Sequence, residues 1–340
     1  MLVVDCHGHF TTEPPQLAEF RRRQLAALEG SGSAPQLPEI SDEELVDCIG
    51  RNQLRVMDER GIDMVLFSPR ASGMGHHVPD AESGAVWTRL SNDLVHRVST
   101  LFPERFAPVA QLPQTPSGDL GPSVGELRRC VEQLGFVGFN LNPDPSGGYW
   151  SGRPVTDSSW FPLYEAMEEL DVPAMIHVSA SCNPNFHALG AHYLNADTTV
   201  FMQLLEGDLF GRFPGVRFVI PHGGGAVPYH WGRYKGLAAR FGLPPIESHL
   251  MGNVYFDTCV YHRPGVALLM EVAGPANVLF GSEMLGAVRG VNPETGSGWD
   301  DTRRYVDSLG LPEDARRAVY EENVRRVYPR LDRLLRDQGR

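Results

Sequence analysis

Short runs of β-branched and aromatic residues alternate along the chain with longer stretches whose apolar positions recur at helical spacing. The runs are Leu2–Cys6, Met64–Phe67, Phe106–Gln111, Val137–Leu141, Ala174–Val178, Val216–Pro221, Val254–Asp257 and Val278–Gly281. Most are nearly continuous apolar stretches rather than alternating ones, as expected of parallel strands covered on both faces. Between them lie helix signals. Ser41-Asp42-Glu43-Glu44 is a capping box, and the stripe Leu45, Cys48, Ile49, Val56, Met57 that follows ends at Gly61. Leu163, Met167 and Leu170 repeat the stripe ahead of Pro173. Strand then helix, eight times over, predicts one α/β domain over residues 1–340, a (β/α)8 TIM barrel.

Departures from this rhythm mark the working end. Residues 10–40 insert a Pro/Gly-rich loop and a charged helix around Glu19–Glu29 after the first strand; residues 142–160 follow the fourth strand, and residues 179–200 the fifth. All emerge at the carboxyl ends of strands, where barrel enzymes build their sites. The tail over 300–340 reads as two or three helices, expected on the barrel exterior.

Length alone would admit two domains at about 150 residues each, but the pattern favours one large barrel. Hydrophobic residues at 42% and charged residues at 21% suffice for a substantial core. A net charge of −12 excludes retention on nucleic acid by a general basic field. It still permits an anionic small substrate, because a metal and a few arginines reverse the potential locally. No stretch reaches the ~18–20 apolar residues of a membrane span, and the first residues lack the basic region and apolar run of a secretion signal. The five cysteines are scattered with no CxxC pair, so reduced thiols and a cytoplasmic location are expected.

Asp5-Cys6-His7-Gly8-His9 carries the first chemical signal. Residues two apart on a strand share a side, so His7 and His9 can converge on one ion, while Cys6, of opposite parity, is expected to face the helices. In isolation the pair equally fits two strand-edge histidines satisfied by backbone. Position decides: His177 ends the fifth strand run, His222 follows the sixth, and Glu283 follows the eighth. Strand ends of a closed barrel share one mouth, and five metal-competent side chains aimed at one rim are hard to explain as packing. Other features invite plainer readings. His76-His77 reads as a surface loop, and Gly223-Gly224-Gly225 as a turn giving His222 room. No Gly-x-Ser-x-Gly elbow or GxGxxG fingerprint is present.

These residues, with Phe67-Ser68-Pro69-Arg70-Ala71-Ser72-Gly73-Met74, Ala191-His192-Tyr193-Leu194-Asn195-Ala196-Asp197, Phe256-Asp257-Thr258-Cys259-Val260-Tyr261-His262 and Gly281-Ser282-Glu283-Met284, give a chain that resembles the amidohydrolase superfamily. The resemblance covers essentially the whole chain and is strongest to the branch of mononuclear decarboxylases and hydratases. Most of these relatives carry Asp after the eighth strand, so Glu283 marks a narrower subgroup.

The resemblance implies a zinc ion, with manganese as the alternative, held by His7, His9, His177 and Glu283. It implies a hydratase acting on an unsaturated oxo-tricarboxylate from aromatic ring cleavage, and a homodimer or higher homo-oligomer. Glu283 would reach the metal or stand beside the attacking water as a base; His222 would stabilise or position, and Tyr193 would transfer a proton. A substrate with three carboxylates calls for cationic forks. Arg70 is the first candidate clamp, with Arg289, Arg233, Lys235 and the amide of Asn195 behind it. A nonoxidative decarboxylase of a related ring-cleavage product or aromatic acid is the principal rival, followed by hydrolysis of a C–C or ester bond. A barrel serving only as a scaffold is opposed by the complete set of polar rim residues.

Overall fold

Eight parallel strands hydrogen-bond in sequence order: β1 (Val4–Phe10), β2 (Met64–Pro69), β3 (Phe106–Ala110), β4 (Gly138–Leu141), β5 (Ala174–Ile176), β6 (Phe218–Ile220), β7 (Val254–Asp257) and β8 (Val278–Leu279). The computed structural model describes residues 1–78, 80–187 and 189–340; Ala188, within the segment expected to follow the fifth strand, lies outside the described residues. Backbone bonds from Cys6 N to Phe280 O and from Glu283 N to His7 O, each 2.8 Å, join β1 to the segment after β8 and close the (β/α)8 TIM barrel.

Side chains on these strands sort into two apolar clusters. Val65, Phe67, Phe106, Phe139, Ile176, Phe218, Phe256 and Phe280 pack outward on the helical ring. Val4, Met64, Leu66, Ala107, Val109, Met175, Val219, Tyr255 and Leu279 fill the interior. Cys6 belongs to the interior cluster, contrary to the parity argument. The ladder between β1 and β2 shifts register between Asp5 and Gly8, and this bulge re-aims the strand. Cys6 therefore joins the interior below while His7 and His9 turn into the mouth above.

The first part of the tail packs on the outer cluster through Tyr305, Val306, Val319 and Tyr320, but its last part does not. Val324, Val327, Tyr328, Leu331 and Leu335 pack among the interior strand residues, with the last helix spanning Pro329–Asp337. Arg217 and Arg330 bond across to Val327 O and Leu170 O, just ahead of β6 and β5, so these helices floor the barrel at the strands' amino ends.

Strand limits differ where backbone groups find other partners. β8 stops at Leu279 because Phe280 N bonds to Val319 O and Gly281 N to the Thr258 hydroxyl. After β1 the helix is Pro15–Leu28. Tyr193 sits in the first turn of a long helix, Gly190–Glu206. Beyond β8, a small antiparallel pair, Val291–Asn292 with Ser297–Gly298, was not foreseen. No helix among the described residues is long and apolar enough to cross a membrane.

Candidate metal centre

At the carboxyl ends of β1 and β5, His9 Nε2 lies 3.1 Å from both His7 Nε2 and His177 Nε2. The hydrogen-bond network assigns the protons elsewhere. His177 Nδ1 donates to Val178 O at 3.0 Å, and His7 Nδ1 donates to the Asp257 carboxylate at 2.7 Å. His9 Nδ1 meets Ser68 Oγ at 2.7 Å, a hydroxyl that also lies within reach of Pro69 O and receives Asn140. With each Nδ1 protonated, three Nε2 lone pairs face one another, an arrangement that repels unless a cation sits between them. Burial drives His9 and His177 well below the usual histidine range, which keeps them neutral and competent as ligands. The donor set of imidazoles and a carboxylate fits zinc or manganese.

Glu283 lies beside His7 and His177, in a group that includes His222 and not His9. Side-chain ligand atoms of His7, His177, His222 and Glu283 lie within 4.8 Å of one another. Three non-glycine residues at the rim adopt left-handed backbone, His222 (φ 52°), Tyr261 (φ 63°) and Glu283 (φ 49°), each a strain of about 1–3 kcal/mol typical of functional positions. Gly286 is required beside them, since a Cβ there would approach Glu283 Cγ to 2.8 Å.

His222 stands opposite. Its Nδ1 bonds to Asp197 at 2.9 Å, while Nε2 is buried, has no hydrogen-bond partner among the described residues and lies 3.9 Å from Glu283 Oε2. Burial opposes charge on this ring, but Asp197 beside it prevails and raises it to about 9. Its Nε2 is aimed at the centre. Tyr193 stacks on it with ring centroids 5.6 Å apart. Burial and the Glu283 charge hold the Tyr193 phenol protonated.

Tyr193, His9, His177 and Glu283 line a cavity of about 200 Å³ together with Arg70, Arg289, Thr11 and Ser72. Arg70 is half exposed and lies 3.3 Å from the buried Glu13 carboxylate. Arg289 donates to Gly286 O and Leu285 O.

Three expected substrate contacts are not brought to this mouth. Arg233 is exposed on the helix Trp231–Phe241, and Lys235 on the same helix pairs with Glu247 at 2.7 Å. Asn195 is exposed and lines a different hollow with Pro143, Trp150 and Gln203. The helix places Asn195 two residues beyond Tyr193, about 200° around the axis at 3.6 residues per turn, so both cannot face one cavity. His76 is not on a flexible surface loop: it is buried, bonded to Leu112 O and Asn142.

Asp257 and Tyr261 were not expected to take part in the site. The Tyr261 hydroxyl donates to Glu283 Oε2 at 3.0 Å, and Cys259 Sγ lies 3.4 Å from His7 Nδ1. All three follow or end β7, and the strand-end rule that singled out the other residues applies equally to them.

A family profile described as "Amidohydrolase" matches residues 4–330. The chain is 56% identical over 339 residues to the 2-keto-4-carboxy-3-hexenedioate hydratase of Sphingobium sp. (strain NBRC 103272 / SYK-6), covering 100% of this chain and 99% of that protein. The crystal structure of 4-oxalomesaconate hydratase from Rhodopseudomonas palustris superimposes with a TM-score of 0.93 at 50% identity, over 99% of both chains. A 5-carboxyvanillate decarboxylase from Sphingomonas paucimobilis shares the fold at 22% identity and a TM-score of 0.70, over 96% of this chain and 99% of that one.

Proposed function

The chain belongs to the amidohydrolase family, and from that premise we propose that it is a metal-dependent hydratase. The reading is that it adds water across the C=C bond of 4-oxalomesaconate in the breakdown of protocatechuate or gallate, giving 4-carboxy-4-hydroxy-2-oxoadipate. The high identity of the two hydratases over full length supports the reaction class. The convergence of His7 and His177 with the Glu283 carboxylate, beside a His9 Nε2 that lies 3.1 Å from both imidazoles, carries the reading. His7, His9, His177 and Glu283 would hold the ion, zinc by preference and manganese as alternative. Bound there, a divalent cation supplies Lewis acidity that draws the pKa of water towards ~7.

The chain's own residues supply the rest. Glu283 accepts the proton of the attacking water, within reach of the Tyr261 hydroxyl that orients its carboxylate. Addition to an alkene conjugated with an oxo group moves negative charge onto that oxygen. His222, held through Nδ1 by Asp197 and with its Nε2 unclaimed, meets that charge. Tyr193, protonated and on the same cavity wall, delivers a proton to carbon. Arg70 and Arg289 line the cavity as forks for the substrate carboxylates.

The test supplies ring-cleavage products to metal-analysed protein and identifies products by mass. A gain of one water is expected, whereas loss of carbon dioxide would transfer the chain to the decarboxylases. Glu283→Gln is expected to lower kcat by about 10²–10⁴-fold, the range for a lost general base, with an unchanged circular dichroism spectrum. Near-normal turnover would overturn the assignment.

A further inference from the structure

One buried carboxylate touches two different parts of the centre. Asp257, the last residue of β7, is fully buried. Its Oδ2 accepts the Nδ1 proton of His7 at 2.7 Å. Its Oδ1 accepts the backbone N–H of Gly223 at 3.1 Å, in the turn that begins at His222, and that of Cys259 at 3.0 Å. The seat is tight. A Cβ on Gly281 would come within 3.0 Å of Asp257 Cβ, 3.2 Å of its Oδ2 and 3.2 Å of His7 Cβ.

We propose that Asp257 is a positioning residue that fixes the His7 proton on Nδ1 with one oxygen and the His222 turn with the other, so that both depend on a single carboxylate. The inference rests on the reading that the three imidazoles take a divalent cation. Everything facing Asp257 is an N–H, and only a group with two acceptor atoms satisfies them all. Asparagine offers one acceptor and one amide nitrogen. If its oxygen faces His7, two buried backbone N–H groups lose their partner and meet a donor instead. If its oxygen faces the backbone, the amide nitrogen meets His7 Nδ1 and requires that atom to accept. The second arrangement satisfies more donors and prevails. Its consequence is a His7 tautomer with the proton on Nε2, where the lone pair for the cation should be.

The experiment uses the full chain, stripped of metal and titrated with Zn²⁺ against a chromophoric chelator, and then loaded with Co²⁺ for proton NMR. In the Co²⁺ protein, His7, His9 and His177 each give a paramagnetically shifted, exchangeable Nδ1–H signal. Asp257→Asn is expected to weaken Zn²⁺ binding by at least about tenfold, in the range for partners of metal ligands, and to remove one of the three signals. A merely structural carboxylate would lower thermal stability while leaving the signal count intact. Zn²⁺ affinity within twofold of wild type, with all three signals kept, would overturn the proposal. Should Asp257→Asn not fold, Gly281→Ala decides, because its methyl displaces the same pair without altering charge. The expected result is again weaker Zn²⁺ binding, and wild-type affinity would count against the proposal. Failure of the wild-type chain itself to bind either ion would instead remove the metal reading, and this inference with it.

Discussion

Individual side chains at this mouth are governed by whether each buried polar atom has a partner. His76 illustrates the rule away from the centre. Burial pushes its pKa down to about 4, against a bond to Leu112 O that favours the charged form. A histidine depressed in the folded state contributes stability that is complete above its unfolded value near 6.5 and is lost as pH falls towards 4. At about 1.4 kcal/mol per unit, His76 accounts for up to ~3 kcal/mol over that window. Replacing it by Gln should flatten the fall in urea-unfolding free energy between pH 6.5 and 4; an unchanged slope would show that His76 does not titrate as argued. Sequence marked this residue only as part of a Gly-rich segment, because burial is set by Leu112 and Asn142, which arrive from after β3 and β4. His7, His9, His177 and Glu283 were legible for the opposite reason: each ends or follows a strand, and the barrel alone makes them neighbours. Arg233 and Lys235 also follow a strand, but a helix intervenes and its face decides. Asp257 and Tyr261 end or follow β7, where the same rule points to them, but their partners, His7, backbone amides and Glu283, are set by the fold and not by spacing.

Whole elements were readable where their signals are local. The capping box is formed as read, with Glu44 N on Ser41 Oγ at 3.2 Å and Ser41 N on Glu44 Oε2 at 2.8 Å, and it starts the helix Asp42–Ile49. Ser41→Ala is expected to cost about 1 kcal/mol of unfolding free energy and to leave turnover unchanged, since that helix start does not line the mouth; denaturant titration and a steady-state assay check both. Strand positions were likewise accessible, because continuous apolar runs identify buried parallel strands. The β1 bulge was not, and its effect was to reverse the facing of Cys6. Nothing in Asp5-Cys6-His7-Gly8 announces the bulge beyond Gly8 itself, whose Cβ would come within 2.2 Å of Val65 Cγ1.

Across the molecule, one end of the barrel is sealed by apolar packing and the other is given over to polar groups. Leu331, fully buried among the interior strand residues, belongs to the seal. Leu331→Ala should remove about 2–5 kcal/mol of stability, read by chemical denaturation, without raising the Michaelis constant of the folded fraction. A changed Michaelis constant at unchanged stability would mean that the floor communicates with the mouth. The docking of the tail was not legible because an amphipathic stripe declares a buried face without naming its counterpart. The seam where Glu283 N meets His7 O has a temporal meaning as well. A ribosome adding about 5–20 residues per second delivers His7 and His9 first and Glu283 only near the end. Until then the nascent chain carries bare imidazoles, two at first and three after His177, with neither their carboxylate nor a closed wall behind them. The complete set of ligands thus becomes available only once β8 has emerged, and a polypeptide truncated before Glu283 would be denied it.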